Sequence, residues 1–126
     1  MMMYTEEDKK NMSLGEKQRL FPRMLHELDK FMWANGYEYT LGDAFRDPRV
    51  HGAIGVKLGY GNANSGHKNK LAEDRNLFKK IDGKWVYLDK TEDHKECGEF
   101  WESLGGSWGG RFQDGNHYSL EHNGVR

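Results

Sequence analysis

The pair Asp82-Gly83 constrains this chain more than any other local feature. It lies between residues 71–78, which can form a strand entering the core, and Lys84-Trp85-Val86-Tyr87-Leu88, which can return as its partner. Asp-Gly accepts the positive backbone angles that a tight hairpin turn demands, so the two runs are expected to pair antiparallel. Tyr37-Glu38-Tyr39-Thr40-Leu41 alternates in the same way and reads as a further strand.

Helical signals flank these strands. Ser13-Leu14-Gly15-Glu16 matches a capping box. Pro22 then predicts either a kink or a regular helix that starts near Phe21. Phe21, Met24, Leu25, Leu28, Phe31 and Met32 recur at helical spacing and form one apolar stripe, which Asn35-Gly36 ends. His26 falls off the stripe and is expected on the solvated face. Residues 1–12 carry no apolar period and are expected to form a flexible lead-in. Residues 42–64 are glycine-rich and are expected to be mostly loop, with a short extended piece around 54–58. Thr91 is the expected N-cap of a short helix carrying Phe100, Trp101 and Leu104, which Gly105-Gly106 terminates. Residues 108–110 and 117–121 are expected to close the chain as two short strands around a turn at Gly115-Asn116. The order of elements implies an α+β fold, a small mainly antiparallel sheet with flanking helices. All 126 residues are expected to form one domain around one core.

Composition removes whole classes of function. The formal net charge is −1 with both signs interspersed, so there is no basic stripe for nucleic acid. No apolar run approaches the ~18 residues of a membrane span. The N-terminus, Met1-Met2-Met3-Tyr4-Thr5-Glu6-Glu7-Asp8, has neither the basic nor the apolar region of a secretory signal. One cysteine allows no intramolecular disulfide. Cys97 has His94 three residues away, but Asp93, Glu96 and Glu99 surround it and would raise a thiol's pKa, so it is expected to be inert.

Four side chains carry the chemistry: His67, Asp74, Asp114 and His117. Two imidazoles and a carboxylate can hold a zinc ion and leave its fourth position open, the composition of a catalytic site. A second carboxylate three residues before the second His is placed to act as a base. In a strand over 71–78, Asp74 shares a face with the small Ala72, and His117 can reach across from a neighbouring strand. His122 is the rival ligand; five residues after His117, it points to the opposite face of a regular strand. His51 and His94 lack a partner at ligand spacing and are expected to be exposed. Spacing alone leaves two readings, a metal site or ordinary surface histidines.

Ser65-x-His67, with Ala72 and Asp74 following, resembles the Ser-x-His-x-x-Gly-x-Ala-x-Asp signature of the M15 zinc peptidases. These are the D-Ala-D-Ala carboxypeptidases and dipeptidases and the phage L-alanyl-D-glutamate endopeptidases. Asp114-x-x-His117, after Trp108-Gly109-Gly110, is similar to the second signature of that family. Thr40-Leu41-Gly42-Asp43-Ala44-Phe45-Arg46 looks like the strand and arginine that precede its metal site. The resemblance runs from about Leu20 to the C-terminus. One position departs: Lys70 stands where the signature has glycine, which bears on the turn before the strand and not on the ligands.

The resemblance implies a zinc DD-peptidase-like fold with His67, Asp74 and His117 as ligands. It makes Asp114 the general base and Arg46 the group that neutralises charge on the substrate. Ser65 would shape the loop or bond the substrate, and Trp108 would line the cleft or pack in the core. The implied substrate is the peptidoglycan stem peptide, cut at L-Ala–D-Glu by a monomeric phage endolysin held in the host cytoplasm until its release to the wall. A D-Ala-D-Ala carboxypeptidase, or a non-catalytic wall-binding or virion module, is the alternative.

Overall fold

The computed structural model describes residues 1–42 and 67–126. The expected extended piece around 54–58, His51, Ser65 and Arg46 lie outside the described residues. Two helices open the chain, α1 (Glu6–Asn11) and α2 (Leu14–Ala34). Strands β1 (Tyr37–Leu41), β2 (Ala72–Ile81) and β3 (Lys84–Leu88) follow. A 3₁₀ turn over Thr91–His94 leads into α3 (Lys95–Ser103). The chain ends in β4 (Ser107–Trp108), a second 3₁₀ turn over Gly109–Phe112, and β5 (His117–Ser119). The fold is α+β, with a small antiparallel sheet and helices.

Both N-terminal helices start on reciprocal caps. The Ser13 hydroxyl accepts from the Glu16 N–H at 3.2 Å, and the Glu16 carboxylate accepts from the Ser13 N–H at 3.0 Å. Thr5 and Asp8 make the same exchange at the head of α1. Residues 1–12 are therefore not a loose lead-in. Tyr4 is buried in the core and its hydroxyl donates to the Glu121 carbonyl at 2.6 Å. Helix α2 runs through Pro22 rather than starting at Phe21, with Pro22 on its exposed side. Phe21, Met24, Leu28 and Met32 form its buried stripe, and His26 is exposed. Phe31 stacks on Phe100 of α3 with centroids 4.2 Å apart, and Phe21 meets Trp101 edge-on at 5.8 Å.

Strand β2 is the spine of the sheet. It pairs with β1 through Arg75–Lys79, with β3 through Leu77–Ile81, and with β5 through Ala72–Asp74. Its odd-numbered side chains face the helices. Arg75 is buried there against Asp29 and Glu73, both at 2.7 Å, with its guanidinium 4.1 Å from the Tyr39 ring centroid. Leu77 packs beside it in the core. Its even-numbered side chains, Ala72, Asp74, Asn76, Phe78 and Lys80, share the other face.

Three boundaries differ from the sequence expectation. Thr91 begins the 3₁₀ turn with Lys90 at its cap position, and the α-helix proper begins at Lys95. After Trp108 the chain winds into a 3₁₀ turn instead of continuing as strand to Gly110. The last strand stops at Ser119, and His122 instead bridges Val125 in a terminal turn. No described helix is long and apolar enough to cross a membrane.

Candidate metal centre

Sheet register brings the first two donors together. Asp74 lies directly opposite His117. The Arg75 N–H donates to the Asn116 carbonyl, and the Leu120 N–H donates to the Leu71 carbonyl. Hydrogen-bonded pairs alternate along an antiparallel ladder, so Asp74 and His117 form the intervening non-bonded pair, whose side chains approach most closely. His67 arrives from the turn that precedes β2, where the Lys70 N–H donates to the His67 carbonyl at 3.1 Å.

The three side chains converge on one oxygen. His67 Nε2 lies 3.1 Å and His117 Nδ1 lies 3.2 Å from Asp74 Oδ1. All three donor atoms fall within 4.8 Å of one another. The two rings meet nearly edge to face, with centroids 5.1 Å apart. The side chains of His67, Asp74 and His117 are only 4%, 13% and 12% exposed, so this polar cluster must satisfy itself or hold a cation. Burial works to raise the Asp74 carboxyl. The hydrogen bonds and charges of His117 and His67 outweigh it, and the group is held well below the usual carboxylate range.

Two arrangements of protons suit these contacts. Each ring can donate an N–H to the carboxylate, or all three atoms can turn lone pairs toward a shared cation. Around a four-coordinate zinc, with bonds of about 2.0–2.1 Å, neighbouring donors stand about 3.3 Å apart. The 3.1 and 3.2 Å separations from Asp74 Oδ1 lie near that edge and equally within hydrogen-bond range. The three side chains are thus a donor set that could hold a metal ion.

No protein-family model matches the chain, and no curated protein matches it.

Asp114 stands at the rim. Its Oδ2 lies 4.0 Å from His117 Nδ1, and its side chain is 59% exposed. The turn that carries it is tightly built. The Asp114 N–H donates to the Gly109 carbonyl at 2.9 Å and the His117 N–H to the Asp114 carbonyl at 3.2 Å. A Cβ on Gly109 would sit 2.4 Å from the Asp114 carbonyl oxygen and 2.6 Å from His117 Cβ. Gly42 is similarly confined: a Cβ there would sit 2.9 Å from Asp74 Cβ, and its N–H donates to the Asp74 carbonyl. Sequence reasoning passed over both glycines. For Gly109 the available signal was its place in Trp108-Gly109-Gly110, just ahead of the Asp114–His117 pair. A polar recess of about 170 Å³ opens beside Asp114, lined also by Asn116, Gln113, Lys90 and Tyr87.

The other candidates take different places. Of the two readings of Trp108, cleft wall and core, the structure has the core: it is buried, and its indole N–H donates to the Gly115 carbonyl at 2.8 Å. Its contribution to the site is to brace the turn that holds Asp114 and His117. His94 is not exposed; it is 3% accessible and its Nε2–H donates to the Leu88 carbonyl at 3.1 Å. His122 lies apart from the cluster, its Nδ1 accepting from the buried Lys17 ammonium at 2.9 Å. The Glu121 carboxylate caps the Gly124 N–H in the same terminal turn. Cys97 is buried, and burial pushes its thiol up to about 12.

Proposed function

We propose that the chain is a zinc-dependent peptidase that cuts the peptidoglycan stem peptide, in the manner of a phage L-Ala–D-Glu endopeptidase with a zinc DD-peptidase-like fold. The observation that carries this reading is the meeting of His67 Nε2, Asp74 Oδ1 and His117 Nδ1, with the Asp114 carboxylate at the rim. The order of these residues in the chain is the order in the peptidase signatures they resemble.

Each residue then has one task. His67, Asp74 and His117 would hold the ion. Zinc, when bound, would supply Lewis acidity toward a water and the scissile carbonyl. Asp114 takes the proton from the attacking water and delivers it to the leaving amine nitrogen as the C–N bond breaks. Its exposure gives it access to both water and substrate. Arg46 would offset charge on the carbonyl oxygen or a substrate carboxylate, and Ser65 would shape the loop or bond the substrate.

Metal analysis and mass spectrometry of digested peptidoglycan test the reading together. Purified protein should carry about one zinc per chain, and His67→Ala should lose it. Digestion should release fragments cut between L-Ala and D-Glu. Released D-Ala would point to the carboxypeptidase instead, and zinc without any cleavage to a binding module. A well-folded wild type that takes up no zinc at neutral pH ends the proposal.

A further inference from the structure

The sheet face that carries Asp74 continues along β2 through Asn76, Phe78 and Lys80. Register across the hairpin sets Tyr87 of β3 opposite Phe78 and Trp85 opposite Lys80, on that same face. Glu38 and Thr40 of β1 complete it on the other side. Trp85 and Tyr87 are 55% and 53% exposed, a large aromatic area to leave in water. Phe78 and Tyr87 support each other with centroids 5.5 Å apart, and the Lys80 ammonium stands 6.0 Å from the Trp85 ring centroid. Tyr87 also lines the recess beside Asp114. The surface is thus continuous from the rim of the metal centre to Trp85. At about 3.3 Å per residue, Asp74 and Lys80 stand ~20 Å apart, the reach of a polymer rather than of one small ligand.

We propose that this face binds the glycan strand of the polymer whose stem peptide is cut at the metal centre. The proposal rests on the peptidase reading. Sugar rings lay their apolar C–H faces on Tyr87 and Trp85, while Lys80 meets the carboxylates of the pendant stems. The mixed lining argues for this occupant: two open aromatic rings stand among Glu38, Thr40, Asn76 and Lys80.

Co-sedimentation of the full chain with purified sacculi tests this. The double variant Trp85→Ser, Tyr87→Ser should need at least ~10-fold more sacculi for half-maximal binding, as expected for the loss of two stacking contacts. Its circular dichroism should match wild type, because both side chains are exposed. Soluble glycan strands stripped of stem peptides should displace the wild-type protein. Equal sedimentation of variant and wild type overturns the proposal, and so does displacement by free stem peptide but not by stripped glycan. Binding is read without turnover, so the two readings fail separately. If no stem peptide is cut but glycan-competed binding is lost in the variant, the platform stands and the peptidase reading falls. If stem peptides are cut and glycan does not compete, the platform alone falls.

Discussion

His94 and Asp114 are both polar residues near the end of β3 and the 3₁₀ turns, yet their surroundings give them opposite work. Burial holds the His94 ring below its ordinary pKa, against the pull of its bond to Leu88 and the charges of Asp93 and Asp114. The unfolded chain therefore takes up a proton that the folded chain refuses. Stability is fully present above the ordinary histidine value of about 6.5 and falls as the pH drops toward the folded value. His94→Gln removes that titration, so urea unfolding across a pH series should show a shallower acid loss in the variant. Identical slopes would sink the argument. Asp114 is exposed. Under the peptidase reading, Asp114→Asn keeps the zinc and lowers turnover by ~10²–10⁴-fold. Near-normal turnover with bound zinc would assign the base elsewhere.

Elements differ in how far they announce themselves. The β2–β3 hairpin and the α2 stripe were legible because turn chemistry and helical period are local. The α1 helix was not: Glu6–Asn11 has no apolar period, and what holds it is the Thr5–Asp8 cap together with the anchoring of Tyr4. The burial of His94 depends on packing from distant segments, which spacing does not record. The convergence of Asp74 and His117 was readable only in part. Alternation gives the face of Asp74, whereas the β2–β5 register that sets it opposite His117 is a tertiary fact. The departure at Lys70 has a local cost: its φ is 59°, in the left-handed region that favours glycine. Lys70→Gly should relieve crowding at Cβ and raise stability by about 1 kcal/mol, read by thermal unfolding. Lower stability would show that the lysine side chain outweighs that strain. The Gly109 turn behaves oppositely. Gly109→Ala pushes on Asp114 and His117, so under the peptidase reading zinc affinity should fall ~10–100-fold in a protein that still folds. Unchanged affinity would mean that the turn shifts without moving the ring.

At the scale of the molecule, the two chain ends are fastened to each other. Tyr4 reaches the Glu121 carbonyl, and the buried Lys17 ammonium contacts the Lys9 and Glu121 carbonyls and the His122 ring. Tyr4→Ala opens this clasp and leaves a cavity, so denaturant unfolding should show a loss of about 3–5 kcal/mol. A loss under ~1 kcal/mol would mean the N-terminal segment contributes little. Strand β2 joins this scaffold to the site through two consecutive residues, Arg75 facing the helices and Asp74 facing His67 and His117. A slip of one position would exchange them, driving a carboxylate into the helix-packed side and stripping Arg75 of Asp29. Misregistered chains thus expose themselves as unfolded ones, and a sealed interior certifies the donors on the far side. On the peptidase reading, the zinc content of a preparation becomes a census of its native molecules. A shortfall counts damaged protein before it measures weak binding.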